Sequence, residues 1–151
     1  MNAFKDMRVR LSTLWIFAML NYLYADIVTL MDPAALKTIA AGQVGSMQIT
    51  PGFLLGAAVL METAIAMVLL SRVLGDRANR WANVAAGTIH TAAVILSVFA
   101  GGTMPAPYYI FFGIIEIACT SYIVWSAWRW RVATELTRTG QPAALDAGGM
   151  R

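Results

Sequence analysis

Residues 107–128 read PYYIFFGIIEIACTSYIVWSAW, a run with a single charged residue, Glu116. The hydrocarbon core of a bilayer is about 30 Å thick and is crossed by roughly 20 apolar residues of helix, so this stretch predicts a membrane span. Three more runs of the same kind lie at residues 11–31, 52–73 and 81–100. Together they predict an all-α integral membrane protein, a bundle of four transmembrane helices. Composition agrees: 59% of the 151 residues are hydrophobic and 13% charged, which leaves no room for a soluble nucleotide-binding or hydrolase domain.

The run at residues 11–31 follows a basic stretch with Lys5, Arg8 and Arg10, as a signal peptide would. It is longer than a signal core, contains Asn21 and Asp26 and lacks a small-residue cleavage site, so it is read as an uncleaved span. Cys119 is the one cysteine and His90 the one histidine. An intrachain disulfide, a structural zinc site and a bis-histidine haem within one chain are therefore excluded, and no cofactor is expected.

The net charge of +3 comes from arginines beside the apolar runs, which reads as membrane topology and not as a nucleic-acid surface. Lys5, Arg8 and Arg10 precede the first span. Arg72, Arg77 and Arg80 separate the second from the third, and Arg129, Arg131, Arg138 and Arg151 follow the fourth. Lys37 alone falls in the other loops. The positive-inside rule places both termini in the cytoplasm, with the loops at residues 32–51 and 101–106 outside. Trp15, Trp81, Trp125, Trp128 and Trp130 then form an inner aromatic belt, with Tyr108 and Tyr109 at the outer face. Asp32-Pro33 predicts a helix cap with proline at the first helical position, opening a short outer helix over residues 34–41 that Gly42 closes. This helix serves as an interfacial spacer or as a lid over the bundle mouth. Residues 1–131 are read as the transmembrane domain and 132–151 as a mobile cytoplasmic tail without periodicity.

Four ionisable side chains fall inside predicted spans: Asp26, Glu62, His90 and Glu116. A charged side chain at the bilayer centre costs about 2.5–3.5 kcal/mol on insertion scales, so each must face inward, pair or carry a proton. Counting about 1.5 Å per residue puts Glu62, His90, Glu116 and Asn21 near mid-depth, with Asp26 about one and a half turns further out. Helical spacing aligns Asn83, Gly87, His90, Ala93 and Ser97 on span three, and Tyr109, Gly113, Glu116 and Thr120 on span four. On span one, Tyr22 and Asp26 are one turn apart, with Tyr24 flanking. Pro51 precedes Glu62, and Pro105 precedes Glu116, by the same interval, which suggests two tandem helical hairpins.

A polar layer of this kind fits acid/base work on a largely apolar, lipid-like molecule. Glu62 and Glu116, buried together, could not both ionise, so one would act as acid and the other as base. His90 would shuttle the proton, with Asp26 completing the catalytic set, and the reaction would be an isomerisation or cyclisation. Asn21, Tyr22, Tyr24, Asn83, Tyr109 and Thr120 are the candidates to bind the ligand. Proton-coupled transport by a homo-oligomer uses the same carboxylates and is the alternative. A structural or accessory subunit, in which each polar group only bonds a neighbouring helix, is a further one. A metal site ranks below these: the Glu-x-x-His pair of di-iron bundles is absent, and the methionines form no Met-x-x-Met cluster. Partners expected are a small hydrophobic molecule or lipid and the membrane itself, with no nucleic acid.

The run Asn21-Tyr22-Leu23-Tyr24-Ala25-Asp26, continued by Leu30-Met31-Asp32-Pro33, resembles small bacterial four-span membrane proteins. The plan of two hairpins with buried acids in the later spans is similar to the DoxX-like proteins. The resemblance covers residues 11–130 and implies a helical bundle in the bacterial cytoplasmic membrane, with no reaction attached.

Overall fold

Helix α1 (Met7–Met31) starts at Asp6, whose carboxylate accepts a 3.0 Å hydrogen bond from the Arg8 amide and so satisfies one of the free donors of the first turn. The chain is described as a computed structural model over residues 6–99 and 105–130. After α1 come α2 (Pro33–Ala40), a minimal hairpin β1 (Gln43–Val44) and β2 (Met47–Gln48), then α3 (Pro51–Val73), α4 (Asp76–Phe99) and α5 (Pro107–Trp128). Asp32 caps α2 by accepting from the Ala34 amide, and Thr50 caps α3 by accepting from Phe53. Pro33, Pro51 and Pro107 each stand in the first turn of a helix, where no amide hydrogen is needed.

The four long helices agree with the expected spans to within a few residues, except that α4 begins at Asp76, five residues before the expected Trp81. Asp76 lies in its first turn, where a carboxylate favours the helix dipole. Even the shortest, α5 with 22 residues, measures about 33 Å at 1.5 Å per residue. All four are long and apolar enough to cross a bilayer. Their outer surfaces carry large apolar side chains, Phe99 being 79% exposed and Leu96 68%, a surface that water would not support. The chain is a multi-pass membrane protein.

Inside, the stripe Leu11, Trp15, Ala18, Tyr22 and Ala25 of α1 is buried against the other long helices. Helix α1 packs on both α3 and α5, α5 packs on α4, and α3 meets α4 more sparingly. The α4–α5 contact depends on Gly87, because a Cβ there would stand 2.7 Å from Val124 Cγ2 and 3.3 Å from the Thr120 carbonyl. Thr91 and Thr120 bond across the same seam at 2.7 Å.

At the end away from α2, polar groups join α1, α3 and α4. Arg8 pairs with Asp76, Ser12 donates to the Val68 carbonyl, and Arg72 donates to Ser12. Trp15, expected in an inner aromatic belt, is instead fully buried. Its indole N–H donates to Asn83 at 2.8 Å, so its one polar atom is satisfied inside the protein. The hairpin was not expected from the sequence: strands of two residues have no readable period. Its signal is Gly45-Ser46, with Gly45 at φ 56° opening the two-residue turn. The tail expected at residues 132–151 lies outside the described residues, as does Ala100 at the expected end of span three.

Candidate functional site

A cavity of about 170 Å³ lies between α1, α3, α4 and α5. The spacing of Tyr22 and Asp26, one helical turn apart, brings both to it from α1. Helix α4 contributes His90, and α5 contributes Tyr109, Phe112 and Glu116. Ser97 of α4 and apolar residues, among them Leu60 and Met61 of α3, complete the wall. Asp26, Leu60, Met61 and Tyr109 also line a larger vestibule of about 1000 Å³, which extends toward α2 and the hairpin. Asp26 therefore stands where the inner cavity meets the vestibule.

Helix α2 forms part of the vestibule wall through Ala35, Thr38 and Ile39. Asp32 at its start accepts a 3.1 Å hydrogen bond from the Tyr108 hydroxyl, which ties α2 to the first turn of α5.

Three residues of the cavity wall each carry a buried polar atom with no hydrogen-bond partner among the described residues: Tyr22 Oη, His90 Nε2 and Glu116 Oε1. They come from three different helices. Their residues are 8%, 2% and 6% exposed. Buried polar groups in folded proteins are almost always paired, and leaving one unpaired costs about 1–3 kcal/mol. The His90 ring is packed between two aromatic side chains: Tyr22 stacks on it at 5.6 Å and Trp15 meets it edge-on at 5.2 Å.

Below His90 a hydrogen-bonded network joins α1, α3 and α4. Asn83 accepts from Trp15 and from the Ser71 hydroxyl and donates to the backbone and side chain of Asn79, which in turn donates to the Ser71 carbonyl. The side chain of Asn83 has filled its hydrogen-bonding capacity and lines neither cavity.

Of the residues singled out in the sequence, Tyr22, Asp26, His90, Tyr109 and Glu116 are brought together. Five are placed elsewhere. Glu62 is exposed on the outer surface of α3. The buried residues of that helix, Ala64, Met67 and Ser71, lie about 140–200° around from it at about 100° per residue, so the expected Glu62–Glu116 pair does not form. Asn21 turns its amide back to the Phe17 carbonyl of its own helix, and Tyr24 is 58% exposed. Asn83 belongs to the closed network, and Thr120 bonds Thr91 and the Glu116 carbonyl in the α4–α5 seam. Phe112, Leu60 and Met61 were not singled out. Phe112 lies four residues before Glu116, a spacing that puts the two on one helix face.

The chain belongs to a family of unknown function, DUF6326, whose model matches residues 2–137. No curated protein and no solved structure matches it.

Proposed function

We propose that this DUF6326 protein binds a small, largely apolar ligand in the cavity between its four long helices and moves protons on or near it. The observation that carries this reading is the set of buried, unpartnered atoms on Tyr22, His90 and Glu116, three residues that line a single, largely apolar cavity. Largely apolar pockets with a few converging polar groups are the usual form of a ligand site. The acid/base pair is Asp26 with Glu116, and His90 is the third proton-handling group. Glu62 drops out of the chemistry. A cavity of about 150 Å³ accommodates benzene, so the inner space suits the reacting end of a ligand and the vestibule its apolar remainder.

The protein would reside in the bacterial cytoplasmic membrane with both termini inside. Support comes from Arg8, Arg10, Arg72, Arg77, Arg80 and Arg129, all at helix ends away from α2. It would also work as a homo-oligomer, because Glu62 otherwise meets lipid near mid-depth, where a charged side chain is costly.

The test is purification of the full chain in native-membrane nanodiscs, followed by mass spectrometry of co-purifying small molecules. A species enriched with the native protein and depleted with the Tyr22→Phe, Glu116→Gln double variant is the expected result. Equal retention by both proteins would sink the reading.

One observation favours proton-coupled transport as a second reading. The cavity continues into the vestibule on one side and is closed on the other by Trp15, Asn83, Asn79 and Ser71. That is the form of a site open to one face at a time. Liposomes holding the protein would then acidify or alkalinise when ligand is added, whereas an enzyme would leave the proton gradient unchanged.

A further inference from the structure

The cavity's polar groups are the Asp26 and Glu116 carboxyls, the His90 imidazole and the hydroxyls of Tyr22, Ser97 and Tyr109, so its formal charge is of one sign. Asp26 and Glu116 line it, and among the described residues no lysine or arginine lines either it or the vestibule. His90 Nε2 is buried without a partner, and in the tautomer protonated at Nδ1 it is an acceptor. Glu116 Oε1 is a second buried acceptor without a partner, and the Tyr22 hydroxyl is able to accept as well. The residues that carry these atoms are all more than nine-tenths buried. Around them stand the rings of Tyr22, Tyr109 and Phe112, whose faces attract cations.

A ligand that completes such a site must bring several N–H or O–H donors and positive charge. An anion would meet two carboxylates with no compensating base. An alcohol brings one donor and leaves the remaining acceptors unpaired. A primary ammonium has three donors, no acceptor and one positive charge, and it is compact enough to reach atoms on three helices.

We infer that the ligand is a primary ammonium carried on an apolar body, its nitrogen among Glu116, His90 and Tyr22 and its apolar part directed past Asp26 into the vestibule. The inference rests on the cavity being a ligand site, as argued above, and adds the chemical class of what occupies it. A free alkylamine and the ethanolamine headgroup of a phospholipid both carry this group.

The experiment is calorimetric titration of the full chain in phosphatidylcholine nanodiscs, with empty nanodiscs subtracted, using octylammonium, octyltrimethylammonium and octanol. Octylammonium should bind at least tenfold more tightly than either of the others. Glu116→Gln should weaken it at least tenfold and Asp26→Asn severalfold, while octanol changes less than twofold. Thermal unfolding of each variant establishes that it is folded. Repeating the titration in phosphatidylethanolamine nanodiscs separates the two sources: a tenfold loss of apparent octylammonium affinity assigns the site to the headgroup, an unchanged affinity to a free amine, and both support the ammonium. Octanol binding as tightly as octylammonium would overturn the inference and leave the ligand site standing. So would unweakened octylammonium binding by both carboxamide variants. Saturation by none of the three compounds would overturn the site as well.

Discussion

Tyr22→Phe removes a buried hydroxyl that has no partner and keeps the ring that stacks on His90. At a purely structural position the loss of a tyrosine hydroxyl costs stability. Here it should leave the ligand-free protein unchanged or stabilise it by up to about 1 kcal/mol, because an unpaired polar atom is no longer buried. The same variant should hold the ligand less well, the trade-off expected of a site whose groups are kept for binding. Thermal unfolding in detergent, with and without the co-purified ligand, measures both effects; a clear destabilisation of the ligand-free form would argue that the hydroxyl is structural. Asn83 offers the contrast. Its amide joins Trp15, Ser71 and Asn79, so Asn83→Ala strips partners from several buried groups at once. A loss of about 2–4 kcal/mol is expected, with ligand binding at the cavity retained in whatever fraction remains folded.

Helices α4 and α5 approach as closely as they do because residue 87 has no side chain. Gly87→Ala places a methyl group against Val124 and the Thr120 carbonyl. Val124 can rotate, but the carbonyl belongs to the helix backbone, so the helices must part slightly at a cost of about 1–3 kcal/mol. The seam also carries His90 and Glu116 on its two sides, so ligand affinity should fall together with the melting temperature. Titration of the folded variant would show this, and an unchanged affinity would mean that the cavity tolerates the shift. Gly87 was legible beforehand as one of a stripe with Asn83 and His90, and the inward faces of α4 and α5 follow from the same spacing. Helix α3 shows where that reasoning stops. Nearly every residue of its run is apolar, so there is no contrast by which to find its inner face, and the one carboxylate was taken to mark it. The packing put Ala64, Met67 and Ser71 inside and Glu62 outside. The repeat linking Glu62 to Glu116 is thus one of sequence and not of burial: Glu116 is buried in the cavity wall and Glu62 is exposed. Trp15 was misplaced for a related reason: its nearness to the basic end of α1 suggested an interface, while its place in the stripe of Leu11, Ala18 and Tyr22 carried the better signal.

At the scale of the whole molecule two expectations can be tested on the same intact membranes. If the arginine-rich end is cytoplasmic, a Ser46→Cys variant carries its new thiol in the hairpin turn on the outer side. It should react with a membrane-impermeant maleimide without lysis, since the native Cys119 is buried. Labelling only after lysis would invert the topology. The second expectation concerns what covers Glu62. In a parallel pair of copies related by a twofold axis along the membrane normal, a residue beside the axis meets its own counterpart. Two α3 helices facing each other in this way would bring Glu62 of each copy together and remove both from lipid. Ala58 and Ala66, one turn to either side, are small enough to allow close approach. Cysteine at position 66 should therefore cross-link efficiently between copies in membranes, while cysteine at Leu20, a more exposed position on the outer surface of α1, should not. Glu62→Leu should abolish the cross-link at position 66, because it removes the polar group that makes this face different from the rest of the apolar surface. Cross-linking that is equal at both positions, or that survives Glu62→Leu, would mean that α3 meets lipid and that Glu62 is accommodated in some other way.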